Sequence, residues 1–163
     1  MEKCYRAAPQ VALQIWFECM TAEQNKAIFL RFINELRRGN LTIIDEVCSP
    51  DFAFHSPNWP NWPRGIEGAQ KLATYGSQLY RDARATIDDI IAENDRVAVR
   101  WTITGTWIGP QGPCSPLYGQ KVTVGSMSWY RLVDGKIVDD WGTEVFWPTG
   151  TLESEIGEWH GTQ

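Results

Sequence analysis

Apolar side chains after Thr21 recur at helical period, with Ile28, Phe29, Phe32, Ile33 and Leu36 on one stripe. Thr21 and Gln24 have capping-box spacing, in which each side chain satisfies a free backbone N–H of the first turn. Gly39 is a C-terminal stop, so the spacing predicts an amphipathic helix from Thr21 to about that glycine. A short helical turn over 42–47 follows and ends at Ser49-Pro50. The period then changes to two: over 51–55, Phe52 and Phe54 take one side and Ala53 and His55 the other, as in a strand. Pro57, Pro60 and Pro63 rule out regular structure in the next stretch, which reads as a rigid loop. A second helix runs from Gly65 to about Arg81, with Ala69, Leu72, Ala73, Gly76 and Leu79 sharing a face.

Four strands account for most of the rest, at 85–92, 96–107, 121–133 and 136–147, with 109–119 as a longer loop. Asn94-Asp95 and Asp134-Gly135 are tight-turn signals, so neighbouring strands pair antiparallel. Helices followed by a meander predict an α+β domain with its helices on one sheet face. Long strands twist and curl, and a curled sheet closed by helices forms a cone whose mouth is a natural binding site. Residues 1–20 read as an arm or helix ahead of a single domain spanning 21–163.

Composition narrows the function. With 43% apolar residues, the chain builds a core without disulfide or metal staples. A net charge of -5 and no basic stripe beyond Arg37-Arg38 argue against nucleic acid and anionic membranes as partners. Cysteines 4, 19, 48 and 114 form no CxxC pair, and His55 and His160 are too few for a zinc site. The apolar stretch from Val11 to Phe17 is too short to span a bilayer and makes no convincing cleavable signal; the expectation is a cytoplasmic protein with reduced thiols. Nine tryptophans are the oddity. Strands set several of them side by side, where indole rings serve either a core or an aromatic-lined pocket.

Several stretches now carry a resemblance. The run from Asp95 to Thr106 (DRVAVRWTITGT) resembles the central strand of SnoaL-like polyketide cyclases, within the nuclear-transport-factor-like fold. Asp134 to Trp141 (DGKIVDDW) resembles that family's last hairpin, and Gly119 to Tyr130 fits the strand between them. The helix from Thr21, then His55-Ser56-Pro57, then Gly65 to Gly68 match in order, over roughly residues 21–147. The resemblance implies a cone-shaped α+β barrel, often dimeric through its sheet. It also implies cofactor-free chemistry on a small apolar natural product of polyketide or terpenoid type. Relatives close rings by aldol reactions; others hydroxylate, isomerise, dehydrate or open epoxides, so the fold does not settle the reaction.

Such chemistry needs a group to take a proton from a carbon acid and donors to stabilise the resulting oxyanion. His55 matches a histidine often found at that point in the family and is the first candidate. Glu144 is the second, although relatives carry their acid about four positions after the tryptophan matched by Trp141. That position is Val145 here, so Glu144 faces the pocket only if a bulge at Gly142 restores its direction. Asp139 and Asp140 are the alternatives, with Asp139 on the side of Trp141 by simple alternation. Trp107 replaces a histidine common in relatives and shares a strand face with Trp101 and Ile103, which makes the pocket more apolar. Asn58, Trp59, Asn61 and Trp62 are candidate lid residues. Tyr75, Tyr118, Ser128 and Tyr130 are candidate donors, and Trp129 and Trp141 are candidate pocket walls. Arg100, opposite Trp101 in facing, fits a dimer contact.

Overall fold

The computed structural model describes residues 20–57, 59–109, 113 and 117–148, the last five by backbone only. The expected arm at 1–20 lies almost wholly outside these residues. Helix α1 spans Ala22–Arg37, and its capping box forms as the spacing predicts: Gln24 N–H donates to Thr21 Oγ1 at 3.2 Å and Thr21 N–H to Gln24 Oε1 at 2.8 Å. Gly39 takes a left-handed φ of 80° just past the helix end, a conformation that costs other residues energy. Helix α2 (Ile43–Val47) leads directly into β1 (Cys48–His55).

Helix α3 (Gly65–Leu79) passes without a loop into β2 (Tyr80–Glu93), so that strand starts five residues earlier than the alternation suggests. Strands β3 (Arg96–Trp107), β4 (Lys121–Val133) and β5 (Lys136–Pro148) complete the chain's one described sheet. Its order is β1-β5-β4-β3-β2, with β1 parallel to β5 and all other pairs antiparallel. The β3–β4 connection is long; the two hairpins turn at Asn94 (φ 52°) and at Asp134-Gly135 (φ 49° and 75°). Both residues of the second turn thus adopt the left-handed geometry that matches strand twist.

The sheet is curved and unclosed, with α1, α2 and α3 on its concave face. Phe29, Ile44 and Val47 from the helices meet Val97, Leu132 and Ile137 from the strands in the main core. Burying such side chains contributes about 1.5–3 kcal/mol each. A smaller core of Leu79, Tyr80, Val122 and Val124 closes the β2 end, and Trp107 packs against it.

Candidate active site

Between the concave sheet face, α1 and α3 the packing leaves a cavity of about 390 Å³. Phe32, Ile33 and Leu36 of α1, Leu72 and Ala73 of α3, and Phe52, Phe54, Trp101 and Ile103 of the sheet make most of its wall apolar. The proline loop contributes an aromatic flank. Trp59, Trp62 and Tyr75 meet edge to face, with centroids 5.2–5.9 Å apart. Trp62 Nε1 donates to the Gly68 carbonyl at 3.0 Å, and the Lys71 ammonium sits 4.6 Å from its ring centre. These contacts lock Trp62, whereas Trp59 remains 38% exposed where the wall meets solvent.

Apart from Arg37 of α1 and Ser56 before the proline loop, the polar side chains described lie on one side of the cavity. Ser126, Ser128 and Tyr130 alternate along the inner face of β4, and Asp140 stands opposite Tyr130 on β5. Asp140 is 5% exposed; its Oδ1 has no hydrogen-bond partner among the described residues, while Tyr130 hydrogen-bonds its carboxyl group. Burial pushes the Asp140 carboxyl up to about 8, against the opposing effect of the Tyr130 hydrogen bond. Burial and the neighbouring Asp140 raise Tyr130 well above the ordinary phenol range, although Ser128 hydrogen-bonds it. Cys48, also in the wall, is pushed up to about 12 by burial and by Asp140, which keeps it a thiol. Among the described residues the cavity therefore offers one carboxyl poised to give or take a proton near neutral pH.

A register shift in β5 explains why Asp140 points inward. Arg131 pairs with Asp139 and Leu132 with Ile137, so Val138 is an extra residue between them. Ile137 and Asp140 thus face the same side although three residues apart, and Asp139 turns outward. This is a correction to the expected pocket wall, because Trp141 follows Asp139 to the convex face, where it is 38% exposed.

His55 lies on that convex face too, outside the cavity lining. Its Nε2–H donates to Asp139 Oδ1 at 2.8 Å, and its ring stacks on Trp141 with centroids 4.7 Å apart. Arg131 holds the other Asp139 oxygen, Nε donating at 2.8 Å. Burial works against the charged form of Asp139, but the hydrogen bonds from His55 and Arg131 outweigh it and lower its pKa. The structure thus brings His55 and Asp139 together, but away from the cavity.

Of the remaining candidates, Trp59, Trp62, Tyr75 and Trp101 line the cavity. Trp129 does not; it sits on the convex face beside Met127, with its ring 5.5 Å from the Arg96 guanidinium carbon. Trp107 shares the strand face of Trp101, yet packs on Tyr80 at 5.4 Å beyond the cavity's end. Tyr118 occupies the turn before β4, exposed and outside the lining. Asn58 lies outside the described residues. The Glu144 backbone pairs with Ser126, and the register shift of β5 falls upstream at Val138 rather than at Gly142; the Glu144 side chain is not described. Ser126 and Cys48 were missed by the sequence reading. Ser126 had a signal, since it precedes Ser128 and Tyr130 at strand period.

A five-stranded curved sheet with helices over its concave face, around a largely apolar cavity with a buried acid, defines a cone-shaped α+β protein. The chain belongs to the SnoaL-like polyketide cyclase family, whose model matches residues 27–144, well over half of it. Among solved structures it is similar to AclR from Streptomyces galilaeus, provisionally assigned as a hydroxylase (29% identity, TM-score 0.62, 78% of this chain and 83% of that one). IdmH from Streptomyces antibioticus, provisionally a polyketide cyclase, shares 25% identity with a TM-score of 0.62, over 74% of this chain and 91% of that one. TsrD from Streptomyces laurentii has the same fold at 22% identity and a TM-score of 0.63, over 77% and 90%. No curated protein matches the chain.

Proposed function

We propose that this chain is a cofactor-independent enzyme of natural-product biosynthesis that cyclises or isomerises an apolar intermediate of polyketide or terpenoid type by acid–base catalysis. The observation that carries the reading is the buried Asp140 carboxyl, with Oδ1 free, in the wall of an otherwise largely apolar cavity. An apolar surround raises its proton affinity into the range useful at neutral pH. The aromatic flank of Trp59, Trp62 and Tyr75 suits stacking on an unsaturated or ring-bearing ligand. Epoxide opening or dehydration in the same cavity would use the same acid. His55 serves in this reading to hold Asp139, and so the β1–β5 edge, rather than to move the substrate's proton.

Turnover of polyketide and terpenoid ketones by Asp140→Asn and His55→Ala variants tests the assignment. Asp140→Asn is expected to lose at least about tenfold, equivalent to about 1.4 kcal/mol of barrier, with His55→Ala close to wild type. Full activity in the asparagine variant would sink the role of Asp140.

The convex face is assigned to a second copy of the chain. Ile91, Met127, Trp129 and Trp141 are exposed there around a shallow groove, flanked by Asp89 and Arg100. Apolar area of this kind seldom stays open to water, and a two-fold axis would set opposite charges against each other.

A further inference from the structure

We propose that Tyr130 is a positioning residue that confines the acidic proton of Asp140 to Oδ1, so that the reaction opens with protonation of a substrate oxygen. The chemistry rests on the acid–base reading above; the arrangement of the proton does not.

The hydroxyls of β4 and the carboxyl form one hydrogen-bonded chain along the wall. Ser128 bonds the Tyr130 hydroxyl, and Tyr130 bonds Asp140. Because Oδ1 has no partner among the described residues, the oxygen bonded to Tyr130 is Oδ2. The ionised carboxylate can only accept from the phenol; in the arrangement proposed the neutral acid keeps that direction, so that Oδ2 is the carbonyl and the proton stands on Oδ1. That oxygen belongs to a residue of the cavity wall, where a ligand can replace the missing partner. An unpaired buried oxygen is unfavourable, and a substrate oxygen accepting its proton would relieve that.

Among the described residues nothing in contact with the carboxyl favours its charged form apart from Tyr130. From β1 it faces the Cys48 thiol, and from β4 the Tyr130 phenol, both of which keep their protons. Lys136 and Asp45 act on Cys48 rather than on Asp140. Arg131 and Asp139 lie across the sheet, paired to each other. Helices α1 and α3 present mainly apolar side chains to the cavity, with Arg37 of α1 bonded instead to the Ala85 carbonyl at 2.9 Å.

The step balances without an oxidant or co-reactant. The Oδ1–H bond breaks as its proton passes to a carbonyl oxygen of the substrate, and the bonding pair stays on Asp140. Tyr130 donates to the carboxylate that results. The carboxylate then takes a proton from the carbon next to the protonated carbonyl, and the C–H electrons become the double bond of an enol. Asp140 is neutral again, and the enol is the nucleophile that ring closure requires.

Infrared difference spectroscopy of the full chain without ligand tests the arrangement. Wild type, Asp140→Asn, Asp139→Asn, Tyr130→Phe and Ser128→Ala are titrated from about pH 5 to about pH 10. A protonated-carboxyl stretch is expected at about pH 7 in wild type and Asp139→Asn, and absent in Asp140→Asn. In Tyr130→Phe the band should move to higher frequency and survive to higher pH, by on the order of one pH unit for a lost bond to a charged group. Ser128→Ala should shift it less and in the same direction. Absence of an Asp140-dependent band near neutrality, or a Tyr130→Phe titration identical to wild type, overturns the proposal. If the bands behave as stated while Asp140→Asn turns substrate over normally, the catalytic reading fails and the proton arrangement stands.

Discussion

Adjacent residues of the same type have opposite fates here. Asp140 is buried with one donor; Asp139 is partly open and holds two cationic or potentially cationic partners. Stability should therefore respond to pH with opposite signs at the two positions. The folded Asp140 carboxyl titrates near 8 and the unfolded one near 3.8, so between those values the folded chain holds a proton that the unfolded chain has released. Its contribution is fully favourable below the unfolded value and is lost as pH rises through this window. Asp140→Asn removes the titration, so its stability relative to wild type should increase from about pH 4 to about pH 8. Denaturant unfolding at a series of pH values measures this, and a constant difference would contradict the burial argument. For Asp139, whose pKa is lowered, the contribution is present above the unfolded value and lost as pH falls through the folded one. Asp139→Asn should cost about 1–3 kcal/mol at neutral pH, seen in the same unfolding experiment, because the amide keeps one uncharged acceptor where Arg131 and His55 each had a carboxylate oxygen.

At the level of elements, the helix from Thr21, the short turn over 42–47 and the hairpins at Asn94 and Asp134-Gly135 were all legible. Each depends on neighbours within a few positions, where capping and turn rules act. The α3–β2 junction was not legible, because Leu79 and Tyr80 pack into the small core with Val122 and Val124 from far along the chain. Nor was the face of Asp139. Alternation correctly groups Asp139 with Trp141, but Val138 inverts the phase relative to Ile137, and that extra residue has no local mark. The proline loop is held against α3 at Gly68, where a Cβ would stand 1.9 Å from the Pro63 carbonyl oxygen. Gly68→Ala must push the loop away and disturb the Trp62 hydrogen bond to that residue's carbonyl. A loss of about 1–3 kcal/mol or more is expected, measurable by thermal unfolding, with a change in tryptophan emission. A variant as stable as wild type would show that the loop is not seated there.

For the whole molecule, the two sheet faces divide the work: the concave one encloses the cavity and the convex one carries the exposed indoles. Trp129→Glu places a charge in the proposed dimer face without touching the cavity lining. Sedimentation should show wild type at twice the mass of the variant, with cavity ligands bound equally by both; equal masses would remove the dimer assignment. Among the described residues no helix is long and apolar enough to cross a membrane.

The amino-acid pattern alone determined the elements, their order and the α+β class, because capping, turn chemistry and hydrophobic period are local and survive without contacts; the family came from the resemblance of runs such as Asp95 to Thr106. It also marked Trp59, Trp62, Tyr75 and Trp101 as companions. Which carboxyl enters the cavity was decided only in three dimensions. One unpaired residue in β5 sets the phase of everything beside it, and the proton affinity of Asp140 comes from burial by side chains distant in the chain.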